Sequence, residues 1–167
     1  MQVVRATPQR MVLRARILSV GKTKAPWEEG VQLFAKRLRP LAQVELVTVK
    51  EHRGASNPAY AVERESERIL RQATPGYWLL DERGVQMRSV EFAERLQASQ
   101  QRARGGVLDL VIGGSHGVSD EVKAAADVRV SLSKMTLPHD LAKLFLIEQV
   151  YRACTILKGG SRYHHGD

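Results

Sequence analysis

Short β-rich runs alternate with longer segments whose apolar residues recur every three or four positions. Arg14–Val20 reads as a strand, closed by Gly21. From Pro26 to Arg39 the apolar Trp27, Val31, Phe34 and Leu38 share one helical face, and proline suits a first helical turn. Pro40 ends that helix. Gln43–Val49 alternates Val44 and Leu46 against Glu45 and Val47, which predicts a second strand. Residues 50–58 collect Gly, Ser, Asn and Pro and predict a long loop. A helix from about Pro58 to Ala73 then turns Val62, Ile69 and Leu70 inward, with Glu63–Arg68 as its charged outer face, and Pro75-Gly76 breaks it.

The second half repeats the rhythm. Tyr77–Leu80 predicts a strand, followed by a polar turn at Asp81–Gly84 and a helix capped by Ser89 that runs to about Arg102. Val107–Ile112 is the most hydrophobic strand candidate. Ser119 caps a short helix to about Ala126, Val128–Leu132 predicts a fifth strand, and a last helix runs from Pro138 to Leu157. Such alternation predicts an α/β fold, a mainly parallel sheet flanked by helices. Ligands in these sheets bind beyond the carboxyl ends of strands, which singles out the loops after Leu80, Ile112 and Leu132. The last helix carries Leu141, Leu144, Phe145 and Tyr151 beyond one apolar face, so it predicts a second contact surface, most simply a homodimer.

Composition narrows the class. The 167 residues are 43% hydrophobic and 26% charged, as in a soluble globular domain. The single cysteine, Cys154, excludes a disulfide scaffold and a Cys-based zinc site and fits a reducing cytoplasm. No apolar run approaches the ~20 residues of a membrane span, and the first residues lack the apolar core of a signal peptide. The net charge of +8 is uneven: residues 1–50 hold ten Lys/Arg against three Asp/Glu, the remainder sixteen against fifteen. A basic segment on a nearly neutral remainder suits a polyanion, although charge alone does not separate RNA from DNA.

Three segments carry candidate chemistry. Gly113-Gly114-Ser115-His116-Gly117 follows the hydrophobic strand. It matches the G-x-S-x-G nucleophile elbow of a serine hydrolase, with Ser115 as nucleophile, and equally a glycine loop that brings backbone groups close to a nucleotide-like ligand. A ligand-free tight turn is the plain alternative. The loop from Leu132 to His139 holds Lys134 as its only charge before the histidine and no carboxylate for a metal, a lining that suits an uncharged ring or simply plugs the core. The tail gathers Arg162, Tyr163, His164 and His165, which suits phosphate contact and base stacking or an unstructured terminus. No segment has the spacing of a metal site.

RILSVGK near the start, VIGGSHG, SLSKMTLPH, IEQVYRA in the last helix and the closing RYHHG occur in that order. Together they resemble the RlmH family, the SPOUT-class methyltransferases of bacterial 23S ribosomal RNA. The resemblance spans roughly Leu13 to the end, so residues 13–167 read as one SPOUT domain and residues 1–12 as a flexible extension, with Met11 an alternative start. It implies a trefoil knot in the C-terminal part, which general topology rules disfavour. It also implies S-adenosylmethionine as methyl donor, S-adenosylhomocysteine as product, no metal, and methylation at N3 of a pseudouridine on assembled ribosomes. Matched motifs then place the cofactor against Leu80, Gly113, Leu132, Ser133, Lys134, Met135, Thr136 and Leu137. His139, His164 and Tyr163 are implied as groups that could take the imide proton, with Arg152 and Arg162 stabilising the anion or holding phosphate. The family's tail often has Arg or Lys where His165 stands here. No separate RNA-binding domain is implied, so a homodimer would build the RNA surface, the tail of one chain completing the other's pocket.

Overall fold

The structure is a computed structural model and describes residues 12–54 and 57–159. Five parallel strands, β1 (Leu13–Val20), β2 (Ala42–Val49), β3 (Trp78–Val85), β4 (Leu108–Ile112) and β5 (Val128–Val130), lie in the order β2-β1-β4-β3-β5. Helices α1 (Trp27–Leu38), α2 (Pro58–Gln72), α3 (Ser89–Arg102), α4 (Asp120–Ala125) and α5 (His139–Leu157) alternate with them. The expected α/β class is thus the observed one. β4 is buried along its whole length, and its alternate residues feed two cores. Leu110 and Ile112 join Val31, Leu96, Ile147 and Val150 from α1, α3 and α5. Val111 joins Leu18, Ile69 and Val122 on the face covered by α2 and α4. A strand buried on both faces has no reason to alternate polar and apolar residues, and LDLVI hardly does.

Three local expectations change. The polar stretch Asp81–Gly84 is not a turn but the middle of β3, which continues to Val85. Leu80 and Val85 both pair with Val130, so the intervening residues form an irregular bulge. Ser89 does not cap α3. The backbone N–H of Arg88 donates to Glu91 Oε2 (3.0 Å), while the Ser89 hydroxyl reaches Gln149 Oε1 (3.2 Å) and ties α3 to α5. The charged outer face of α2 is interrupted, because Glu65 and Ser66 are buried.

α5 packs against α1 and α3, burying Leu146, Ile147 and Val150, yet Phe145 remains exposed. Cys154 faces the same core, and burial pushes its thiol up to about 11, with Lys158 acting weakly the other way. Because the thiolate is the reactive form, native protein at pH 8 is expected to resist iodoacetamide, whereas protein unfolded in guanidinium takes up one equivalent. Mass spectrometry of the two samples checks this, and stoichiometric native labelling would contradict the burial.

Candidate active site

The carboxyl ends of β3, β4 and β5 open into one cleft of about 1050 Å³. Its floor includes Leu80, Ile112, Leu132 and Leu137, and the two loops singled out from the sequence form its walls. Residues 114–117 make a tight turn in which the Gly117 N–H donates to the Gly114 carbonyl (3.0 Å) and Gly117 takes a φ of +83°. The two preceding glycines are needed for a different reason from the one expected. A side chain at Gly113 would lie 2.5 Å from Val118 Cγ1, and one at Gly114 would strike the Glu65 carboxylate. The space left at Gly114 is taken up by Glu65 from behind the loop, that at Gly113 by Val118, which itself lines the cleft, and only the glycines' backbones border the cleft.

The opposite wall folds on its own hydroxyls. Ser131 Oγ donates to the Ser133 carbonyl (2.8 Å), and the Met135 N–H donates to Ser133 Oγ (2.9 Å). Thr136 donates across to Glu82 Oε2 (3.0 Å), which joins this loop to the bulge of β3. The floor is apolar, while the rim mixes signs, with Asp81 paired to Arg129 and Asp120 to Lys123. The carboxylates therefore come from β3 and α4, a contribution not apparent from the two loops taken separately.

His139 opens α5 and lines the cleft. Its Nδ1 lies 3.2 Å from Asp140 Oδ1, and the other oxygen of that carboxylate accepts from the Lys24 N–H (3.2 Å). A carboxylate beside Nδ1 favours the tautomer that donates from that nitrogen, which leaves Nε2 as an acceptor. Nε2 is buried and has no partner among the described residues. Deeper on α5, burial lowers the Lys143 ammonium from its ordinary value, opposed by Glu28 and Asp140.

Of the residues singled out beforehand, Leu80, Gly113, Leu132, Ser133, Met135, Thr136, Leu137 and His139 all border the cleft. Lys134 does not line it and points to solvent from the same loop. Arg152 is also absent from the lining; it holds Glu148 one helical turn back, at 2.9 Å, because the two are spaced i and i+4. Tyr163, His164, Arg162 and His165 fall outside the described residues. Glu65 was missed, and so was the role of Asp140 beside His139. Glu65 had a legible signal, standing four residues from Ala61 and from Ile69 on one inward stripe. Asp140 had none, since adjacency to a histidine is commonplace.

The hydrolase geometry is not present. An elbow nucleophile sits in a strained backbone turn, but no non-glycine residue among those described has a positive φ. Ser115 Oγ lies 3.2 Å from its neighbour His116 Nδ1, and both are exposed at the tip of the turn. The lining does suit S-adenosylmethionine. Its apolar side chains would take an uncharged ring system, its loop backbones would supply polar groups, and His139 on its lining has a buried Nε2 without a partner among the described residues.

Comparison with known proteins shows the family. The model of the family described as "Predicted SPOUT methyltransferase" matches residues 13–164. The chain belongs to that family. Relatives named ribosomal RNA large subunit methyltransferase H include one from Trichlorobacter lovleyi, 40% identical over 158 residues that cover 92% of this chain and all of the relative. Another, from Synechococcus sp. (strain CC9311), is 42% identical over 155 residues, covering 90% and 96%. Among solved structures, "a probable methylase family protein from Haemophilus influenzae Rd KW20" superposes with a TM-score of 0.51 at 14% identity, covering 93% of this chain and 72% of that one. At that identity the likeness is one of fold.

Proposed function

We propose that this SPOUT-family chain methylates N3 of a pseudouridine in 23S ribosomal RNA, on assembled ribosomes in the cytoplasm, with S-adenosylmethionine as donor and no metal. The observation that carries the reading is an apolar-floored cleft lined by His139, whose Nε2 is buried and without a partner among the described residues, in a chain whose relatives are named as large-subunit rRNA methyltransferases. Leu80, Gly113 and the loop from Leu132 to Leu137 would hold the cofactor, Lys134 contributing only as part of that loop's backbone. When bound, S-adenosylmethionine supplies an electrophilic methyl group on a sulfonium. The chain's own part concerns the acceptor, because an imide nitrogen is a poor nucleophile until its proton leaves. His139 takes that proton at Nε2, and Asp140 holds the ring in the required tautomer and stabilises the imidazolium. Arg152, Tyr163 and His164 belong to the RNA side of the site in this reading.

We read residues 13–167 as the knotted methyltransferase domain and 1–12 as an extension. Exposed Phe145 on α5 supports a homodimer. Lys22 and Lys24, just beyond the carboxyl end of β1, support an RNA-facing rim at the cleft end of the sheet. Not every early cation is available: Arg16 is used inside the protein by Asp109.

Calorimetry with S-adenosylhomocysteine, then transfer of labelled methyl to ribosomes from a strain lacking the modification, tests the reading. Binding, with label mapped to one pseudouridine, is the expected result. Absence of binding together with covalent labelling of Ser115 by a serine-hydrolase probe would overturn it.

A further inference from the structure

The helix α2 contributes no residue to the lining of the cleft, yet it holds the cleft's glycine loop from behind at two consecutive positions. Glu65 is 5% exposed. Its Oε1 accepts from the His52 N–H (2.9 Å) in the segment after β2, and its Oε2 occupies the place where Gly114 would carry a side chain. Ser66 is 2% exposed and its hydroxyl accepts from the Ser119 N–H (2.9 Å), where the same loop passes into α4. Ser119 in turn caps α4 by accepting from the Val122 N–H (3.3 Å). The front of the loop is thereby left to the cleft while its back is packed by Glu65 at one end and hydrogen-bonded to Ser66 at the other.

A carboxylate is a costly group to bury, and a core position between Ala61 and Ile69 would ordinarily be apolar. Leucine there would be apolar enough for the core, but it could not accept the His52 N–H. Serine at 66 is likewise small enough to sit under the loop and polar enough to receive its N–H. Both choices make sense if the backbone position of Gly113-Gly114 matters more than local packing. Positions that border a ligand through backbone alone have no side chain with which to adjust, so their register must be set from elsewhere.

We propose that Glu65, with Ser66, is a positioning residue that sets the glycine loop for cofactor binding by filling the space behind Gly114. This rests on the reading of the cleft as an S-adenosylmethionine site. The contact is specific and reciprocal: Gly114 must lack a side chain because Glu65 is there, and Glu65 finds its place because Gly114 lacks one.

The test is a rescue. S-adenosylhomocysteine affinity is measured by calorimetry for the wild-type chain, Glu65→Ala, Glu65→Gln, Gly114→Ala and the Glu65→Ala/Gly114→Ala pair, with melting temperatures alongside. Glu65→Ala and Gly114→Ala are each expected to weaken binding at least about tenfold, and Glu65→Gln, which keeps the shape and an acceptor, only a few-fold. The pair is expected to bind better than Gly114→Ala alone, because the new methyl group enters the space the carboxylate has left. With ribosomes as acceptor, the KM for S-adenosylmethionine rises in the single variants while kcat at saturating cofactor stays within about twofold. A general loss of stability would not give that split, nor would a second substitution reverse it. If the wild-type chain binds but Glu65→Ala binds equally well, or the paired variant is no better than Gly114→Ala, the positioning role is wrong and the cleft assignment stands. If the wild-type chain itself does not bind, the cleft assignment fails and this inference with it.

Discussion

Replacing His139 with alanine is expected to lower methyl transfer to ribosomes by about 10²–10⁴-fold while leaving S-adenosylhomocysteine affinity within a few-fold of the wild-type value. The size follows from the role of a positioned base: N3 of the pseudouridine must lose its proton, and His139 Nε2 is a buried acceptor at the cleft wall with no protein donor among the described residues. An acceptor left unmet in a native interior costs about 1–3 kcal/mol, so such an atom is expected to meet a donor from a ligand or from water. The Asp140 carboxylate makes the arrangement directional, because an acceptor beside Nδ1 favours the tautomer that leaves the lone pair on Nε2. Asp140→Asn should therefore lower kcat without raising the KM for S-adenosylmethionine. Single-turnover rates with saturating cofactor measure the effect directly. A His139→Ala enzyme within threefold of wild type would remove His139 from the chemistry and turn attention to Tyr163 and His164 in the tail.

That histidine was legible in the sequence for a simple reason: it follows Pro138 at the junction of a strand, a loop and an apolar helix, and parallel sheets gather their ligands at such junctions. The same logic singled out the loops after Leu80, Ile112 and Leu132, because strand ends are marked locally by apolar runs giving way to Gly, Ser and Pro, while the individual cofactor residues came from the family resemblance. Asp81–Val85 was illegible. Asp, Glu, Arg and Gly in succession have no strand preference, and what makes them strand is pairing with Val130 nearly fifty residues later. Arg152 shows the opposite failure. A motif brought it to notice, but its helical neighbour Glu148 determines where its guanidinium goes. Ser115 shows how far a spacing match can carry without geometry, since G-x-S-x-G here encloses a turn with a glycine at positive φ and no strained serine. What connects Glu65 to Gly114 lies across tertiary structure, and only half of it, the inward stripe of α2, was visible along the chain.

The largest stability effect is expected at the other end of the sheet. Arg16 on β1 and Asp109 on β4 face each other directly in the register of the two strands. The guanidinium grips the carboxylate with both arms, Nε to Oδ1 at 2.8 Å and Nη2 to Oδ2 at 2.6 Å. The Thr74 N–H donates to the same Oδ2 (2.7 Å), and Arg16 also donates to the Gln72 carbonyl (3.0 Å), so the pair fastens the end of α2 to the centre of the sheet. The hydrogen bond to Asp109 is the main reason the guanidinium's pKa is raised. Asp109→Ala strands the Thr74 N–H and leaves a cation whose side chain is only 28% exposed, which is expected to cost about 3 kcal/mol, the low end for a broken buried pair because Arg16 can still reach water. In a domain of this size that is a fall in Tm of roughly 6–12 °C. Arg16→Ala should cost more, since the carboxylate it abandons is wholly buried. Replacing both by apolar residues, as in Arg16→Met with Asp109→Leu, should cost less than either single change, because the desolvation of both charges disappears along with their attraction. Thermal melts of the three variants decide the matter. Additive losses would mean that the pair contributes as two independent groups. The cleft lies at the opposite, carboxyl ends of these strands, so each variant, below its own Tm, should bind S-adenosylhomocysteine as the wild-type chain does.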